Sequence, residues 1–461
     1  HSLAMHYCRL VWDVRSLSKL LEFVKKEYQN GRNDLFAVFI ERCKKFTSKA
    51  GFQSMITQHQ WMFLSSYYSV RISVLEMMLQ NMVHLGARAF EEISGEVVQA
   101  TTFIFRNVKI ENYVSHFCRL VEYTSQNAKE KAFLEHEKDI YAKCIILKKL
   151  PGSALAYWIS DKMVELFGYT PCDEVITLRE GIHTGKNDDF LRQWQEIDNT
   201  KFIKDASDYA DLDKRGRWVP YNKGGSYRKW YGNNTLVIGF DKIYRNRMSD
   251  LSGHVRPSQS LYFKAGATWS ALASGKFGLR YYPNGYLFDS KGQVAVGEKS
   301  IEIMGLFNLK PYQKMADMIM PTLDYKCGDV KKLPYCPVKS RGFLKLVKEN
   351  IAIAKKDWDS YEISWDFLKH PLCIYPVIRR IDEAFYCWEK KVYNRFKQMS
   401  INEELMNRLF AGQYMLSDMD IGATDPSDIT LRLSDVQYDI KSLLSYAVGC
   451  MFGRYSLDIE G

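Results

Sequence analysis

The apolar pattern of this 461-residue chain changes character twice, and this limits its fold more than any other feature. Up to about residue 150, helical and strand-like segments alternate. Leu17–Tyr28 and Asp34–Lys45 repeat apolar residues at helical intervals, with Asp34 placed to cap the second. Gly51–Thr57, Asn81–Leu85 and Val97–Phe105 read as strands, and Ala128–Leu147 as a helix leading out. The alternation predicts the later part of a doubly wound α/β sheet. Pro151-Gly152-Ser153 is a turn and marks the first boundary. From there to about residue 340, short strands, glycines and aromatics predict an α+β domain, with helical pieces at Leu155–Leu166 and Met304–Met318. Beyond Ser340 the spacing turns helical, at Ile381–Met399, Asn402–Met415 and near Leu433–Met451, with a loop at Gly422–Ser427. The chain is too long for one core. The expected domains are 1–150, 151–340 and 341–461.

Charge is concentrated in the second of these. Lys214–Arg280 holds thirteen lysines and arginines against two acids, Asp241 and Asp250. That surplus of eleven exceeds the +10 of the whole chain, so the remainder is close to neutral. At the centre, Arg217-Trp218-Val219-Pro220-Tyr221-Asn222-Lys223-Gly224-Gly225-Ser226-Tyr227-Arg228-Lys229-Trp230-Tyr231-Gly232-Asn233 interleaves cations, rings, amides and glycines. Cations neutralise phosphates, rings stack on bases and glycines admit close backbone approach, so the segment reads as a nucleic-acid surface. A solvated charged face with core aromatics is the plainer alternative.

Other chemistries find little support. Thr184-Gly185-Lys186-Asn187 and Ser274-Gly275-Lys276 lack the spacing of a phosphate loop. There is no His-Glu-x-x-His and no Gly-x-Ser-x-Gly. The ten cysteines form no Cys-x-x-Cys or zinc pattern, so no metal is expected. They read as idle thiols of a reducing cytoplasm. No apolar run is long enough to span a bilayer, and no signal peptide opens the chain.

A set of longer strings carries a resemblance. They are Asp34-Leu35-Phe36-Ala37-Val38-Phe39-Ile40-Glu41-Arg42, Ile56-Thr57-Gln58-His59-Gln60-Trp61-Met62-Phe63-Leu64, His84-Leu85-Gly86-Ala87-Arg88-Ala89-Phe90 and Gly95-Glu96-Val97-Val98-Gln99-Ala100-Thr101-Thr102. Further on come Pro151–Trp158, Gly181–Phe190, the basic string, Pro321–Tyr325, Ser364–Phe367 and Tyr446–Tyr455. Together they resemble N6-adenine DNA methyltransferases, in particular those of BREX-type (phage-growth-limitation) defence systems, from about Leu20 to Leu457.

The resemblance implies an incomplete Rossmann-like methyltransferase sheet, a target-recognition domain and a helical C-terminal region. It implies S-adenosylmethionine as methyl donor and double-stranded DNA as partner, with other phage-defence proteins as further partners. Such enzymes flip the target adenine out of the helix and hold it with an Asn-Pro-Pro-Tyr motif. No such motif and no acidic glycine-rich cofactor loop occurs in this sequence. No catalytic or cofactor-binding residue is therefore assigned, and the chain alone is expected to be inactive. Phe90 matches the position of a ring that stacks on the flipped base, with a core role as the equal alternative. Asp34 and Trp61 read as a helix cap and a packed indole. Arg217, Lys223, Arg228 and Lys229 are expected at phosphates, and Asn222, Arg228 and Asn233 carry the chemistry for base edges. Trp230 and Tyr231 are expected to wedge, to stack or to hold the loop. Thr184, Lys186 and Asn187 are expected to form a tight loop at the DNA surface. Three readings follow: a methyltransferase by descent, a non-catalytic DNA-recognition module, or a helical scaffold unrelated to DNA.

Overall fold

A computed structural model describes residues 18–90, 98–144, 148–272, 276–320, 324–375, 377–422 and 425–456. These fall into two units, residues 1–168 with 318–321, and residues 169–317 with 322–461.

The first unit opens with the two expected helices, Ser18–Glu27 and Leu35–Phe46. Asp34 caps the second by accepting from the Phe36 N–H at 3.3 Å. Five strands follow: β1 (Phe52–Gln58), β2 (Met78–Gly86), β3 (Ala100–Arg106), β4 (Val114–Arg119) and β5 (Asp139–Lys143). They form one sheet in the order β1-β3-β2-β4-β5. β3 is antiparallel to both β1 and β2, while β2 and β4 are parallel. β1, β2 and β4 thus share a direction, and β3 and β5 run against them. Trp61 is buried in this unit and packs edge-on against Phe103, its indole N–H donating to Thr57 Oγ1 at 3.1 Å. Buried Arg71 donates to the carbonyls of Trp61, Leu64 and Gly152 and so ties the turn at Pro151–Ser153 to the segment after β1.

The expected helix over Ala128–Leu147 is replaced by a shorter one, Gln126–Leu134, followed by β5. His136 takes a left-handed φ of 57° and ends the helix. Asp139 is then held by His116 and His136, while Tyr141 stacks on His116 across the strands. Cross-strand pairing has overridden a weak helical pattern. Leu17, Val97 and residues 145–147 lie outside the described residues.

The second unit contains two four-stranded sheets. One uses β6 (Thr177–Arg179), β10 (Gly266–Ser270), β11 (Arg280–Tyr282) and β13 (Gly292–Val296), in the order β11-β10-β13-β6 and wholly antiparallel. The other uses β7 (Leu191–Gln193), β8 (Trp218–Asn222), β9 (Leu236–Gly239) and β12 (Leu287–Phe288), in the order β12-β8-β9-β7. Ile182, Val219, Tyr221, Ile238, Leu287, Phe288 and Val294 share the buried core between them. Helices of this region are shorter than their patterns. Only Asp161–Leu166 of the first unit is helical within the expected Leu155–Leu166, because Ser160 caps it by accepting from the Met163 N–H. The expected Met304–Met318 is split into Ser300–Phe307 and Lys310–Ile319.

Residues beyond Ser340 fall in this same unit. They form helices Arg341–Trp358, Ile381–Tyr414 and Val436–Met451. The two helices expected at Ile381–Met399 and Asn402–Met415 are one helix of 34 residues, since neither Gly nor Pro stands at their junction. It ends at Met415, which takes a left-handed φ of 53°. Buried ion pairs fasten these helices to the β region. Glu403 of this helix is buried and accepts from Lys229 and Trp230, and Asp428 accepts from Lys276 and Lys310. Separating the helices from the β region would strand these carboxylates.

Candidate nucleic-acid interface

The structure divides the basic segment into an inner and an outer set. The inner set is the central string. Lys229 is 1% exposed and is ion-paired with Glu403. Trp230 is equally buried and donates its indole N–H to the other oxygen of the same carboxylate at 2.7 Å. Its φ is 69°, a left-handed conformation held by a backbone bond from its N–H to Leu279 O. Tyr231 is buried too, with Lys355 over its ring at 5.3 Å. Arg228 donates to the Tyr231 carbonyl at 2.9 Å and to Asp357 at 2.7 Å, and lies over the Trp358 ring at 5.0 Å. Burial pushes the Asp357 carboxyl upward in pKa, and Arg228 pulls it back.

These positions correct several expectations. Asn222 is buried and donates to Thr268 Oγ1 and to Gly292 O, joining the two sheets, so its amide does not face a base edge. Arg228 and Lys229 anchor the β region to the helices Arg341–Trp358 and Ile381–Tyr414 instead of facing outward, and Trp230 and Tyr231 are packed beside them, in keeping with the loop-holding alternative. Once buried, each cation needs its carboxylate, because a buried charge left without its partner is costly. Asn233, at a left-handed φ of 62°, donates to Ser226 O at 2.9 Å and braces the glycine loop. Arg217 is half-buried, bonded to Asp241 at 2.8 Å and stacked over Tyr244. The Asp241 partner raises the Arg217 pKa. Lys223 is the one member of the four expected phosphate ligands without an ion pair among the described residues.

The outer set escaped the sequence reading. The helix Lys242–Ser249 is capped by Asp241, which accepts from the Tyr244 N–H at 2.9 Å. Its exposed residues include Lys242, Asn246 and Arg247. Arg247 reaches over the rings of Phe190 and Tyr244, and Arg256 donates to Ser249 Oγ at 2.7 Å. Neither meets a carboxylate among the described residues. The loop His183–Asn187 packs on the stretch after this helix. His183 and Val255 exchange backbone bonds of 2.9 Å, and His254 Nδ1 lies 2.9 Å from the His183 carbonyl. Thr184 is buried and donates to Asn187 Oδ1 at 2.8 Å, which makes the expected tight loop. Lys186 is exposed and pairs with Asp189 at 3.1 Å. The sequence signal for Lys242, Asn246 and Arg247 is a helical spacing of one and four residues, outside the aromatic string.

In the first unit, Phe90 lies four residues beyond β2 and is 39% exposed, not core. The turn before it is rigid. Gly86 has a φ of 69°, and a Cβ there would come within 2.9 Å of Val121 Cα. Lys129 is buried and donates to the carbonyls of Leu85 and Ala87, with burial lowering its pKa. This lysine was not singled out in the sequence, because its partners are backbone atoms more than forty positions away. Close by on the same strand, His84 Nε2 lies 2.8 Å from His59 Nδ1, and both rings are buried. Burial holds His59 down to about 4 and His84 well below its usual value.

The ends of the three co-directional strands carry Gln58, Gly86 and Arg119. None is the carboxylate that a ribose hydroxyl requires in a cofactor site of this architecture. Among the described residues, these strand ends do not fit the ribose of S-adenosylmethionine.

Comparison with known proteins supports the resemblance. The family model described as Eco57I restriction-modification methylase matches residues 13–90. The adenine-specific methyltransferase PglX of Lacticaseibacillus casei (strain Zhang) is 37% identical over 463 residues, covering 96% of this chain and 38% of that protein. The adenine-specific methyltransferase BrxX of Escherichia coli O9:H4 (strain HS) is 31% identical, covering 96% of this chain and 37% of that protein. The chain thus spans well under half the length of these relatives. Among solved structures, the type IIL restriction-modification enzyme MmeI in complex with DNA is 10% identical with a TM-score of 0.44, covering 90% of this chain and 52% of that one. The type ISP enzyme LlaGI in complex with a DNA substrate mimic is 11% identical with a TM-score of 0.39, covering 72% of this chain and 37% of that one.

Proposed function

We propose that this chain, similar over 96% of its length to adenine-specific methyltransferases PglX and BrxX, is the DNA-recognising part of a site-specific adenine-N6 DNA methyltransferase acting in phage defence. That near-complete sequence match is the observation that carries the reading. In it, the sheet of the first unit is the late part of a Rossmann-like methyltransferase domain. The second unit grips duplex DNA. S-adenosylmethionine serves the whole enzyme, and the chain alone does not transfer methyl groups.

The grip uses the outer cations. Lys242, Arg247 and Arg256 contact phosphates, Lys223 joins them at the glycine loop, and Lys186 and Asn187 lie on the loop beside the helix. Phe90, exposed after a rigid turn, stacks on the displaced adenine, a contact worth about 1–3 kcal/mol. The test is binding of labelled duplex DNA over a range of salt. The wild-type affinity is expected to fall steeply, and the combined Lys242→Ala, Arg247→Ala and Arg256→Ala variant to bind more weakly with a shallower slope. A salt-insensitive affinity defeats the reading. Methyl transfer by the isolated chain with labelled cofactor overturns the assignment of catalysis to residues outside it.

A further inference from the structure

Arg280 is a buried charge short of hydrogen-bond partners. It is 1% exposed, yet its Nε and Nη2 have no hydrogen-bond partner among the described residues, and its Nη1 stands 3.5 Å from Ser270 Oγ. A buried guanidinium without an acceptor is costly, and a guanidinium does not shed its proton to escape that cost. Burial and the neighbouring Arg228 both act against its charge. The nearby acids are committed elsewhere: Asp357 to Arg228, Glu403 to Lys229 and Trp230, and Asp289 to the Tyr221 hydroxyl and the Lys291 N–H.

The register of the sheet shows what covers this cation. Arg280 stands opposite Thr268 on the neighbouring strand, so Arg280, Thr268 and Ser270 share one face. Onto that face the chain after β8 is drawn down. Asn222 bonds Thr268, and Ser270 Oγ donates to the Gly225 carbonyl at 2.9 Å. Gly224 and Gly225 follow with φ of 93° and 121°, conformations only glycine takes readily. A Cβ on Gly225 would come within 2.8 Å of Asn233 Nδ2, and one on Gly224 within 3.1 Å of the Lys291 carbonyl. Gly225 and Ser226 are exposed, Lys223 is half-buried and Lys291 is exposed. Lys223 therefore leads into a glycine loop that shares Ser270 Oγ with Arg280, whose Nε and Nη2 have no partner among the described residues.

We propose that Arg280 and the Lys223–Ser226 loop form a binding site for one phosphate group. Its chemistry is that of a bidentate guanidinium beneath, a lysine ammonium at the rim and glycine peptides between. The two glycines supply the freedom by which the loop lifts and refolds around the anion. The source of the phosphate, a DNA backbone phosphodiester, rests on the DNA-binding reading above; the site itself does not.

The experiment uses the full 461-residue chain and the variants Arg280→Gln and Lys223→Ala. One arm measures the thermal midpoint in inorganic phosphate against chloride at equal ionic strength. The other measures duplex DNA affinity against salt. Phosphate is expected to raise the wild-type midpoint, Lys223→Ala to reduce that rise and Arg280→Gln to abolish it. Each variant is expected to flatten the DNA salt slope by about one, the contribution of a single phosphate contact. A changed slope without a phosphate response supports the site and names the DNA backbone as its source. A phosphate response in a chain that does not bind DNA supports the site and defeats the proposed function. Wild-type behaviour of both variants in both arms overturns the proposal. If Arg280→Gln does not fold, unchanged behaviour of the rim variant Lys223→Ala suffices to overturn it.

Discussion

Lys229 and Arg247 belong to the same basic segment and have opposite environments. Lys229 is sealed against Glu403, and the residues around it, Arg228, Trp230 and Tyr231, are likewise turned inward. Arg247 sits on the exposed face of a short helix, over two rings and away from any carboxylate among the described residues. The contrast teaches that a count of cations measures composition, not surface potential. The string richest in rings and charges serves as the fastening between a β region and its helices. The plainer stretch after it is what solvent, and any polyanion, meets first.

Glu403→Ala is the strongest way to break that contrast. It leaves Lys229 charged and buried and Trp230 without an acceptor, so the expected loss is about 3–5 kcal/mol in denaturant unfolding. A loss below about 1 kcal/mol would mean that Lys229 reaches water after all, and the division into inner and outer sets would fail. The same rule of burial has a neutral counterpart in the other unit. His59 and His84 are held uncharged, His59 down to about 4, against an unfolded value of about 6.5. The folded form thus binds fewer protons than the unfolded between those values. The stability that His59 contributes is fully present above about pH 6.5 and is lost as pH falls towards 4, on the order of 3 kcal/mol. Unfolding curves taken across that window check it, and a flat profile would place the imidazoles in water.

Smaller effects belong to the outer set. Lys242→Ala, Arg247→Ala and Arg256→Ala are each expected to change stability by no more than about 0.5 kcal/mol while together flattening the salt slope of DNA binding by about 0.9 per lost phosphate contact. A folding defect in that triple variant, with DNA binding intact, would exchange the roles of the two sets. Lys186→Ala, which removes an exposed pair with Asp189, is expected to cost about 0–1 kcal/mol and marks the lower end of the scale.

Local signals were read correctly where a local cause decided the outcome. Asp34 caps its helix as its position before Leu35 suggested, and β1 and β2 follow the apolar runs at Gly51–Thr57 and Asn81–Leu85. Thr184 and Asn187 close their loop over three residues. The helix expected at Ala128–Leu147 failed because the pairing of Asp139–Lys143 with β4 is a contact between distant positions. The exposure of Phe90 and the lysine that fixes its turn were equally invisible in one dimension.

By itself, the sequence determined the alternation of helix and strand near the start, the concentration of charge in Lys214–Arg280 and the similarity to proteins named adenine-specific methyltransferases, because each is carried by residue types in order along the chain. Only the tertiary structure decided which cations face outward. The carboxylates that claim Arg228 and Lys229 come from Asp357 and Glu403, well over a hundred positions later, whereas no acid folds back to meet Arg280 among the described residues. Electrostatic partnership is a matter of distance through space and of desolvation, and neither is written in the spacing of a chain.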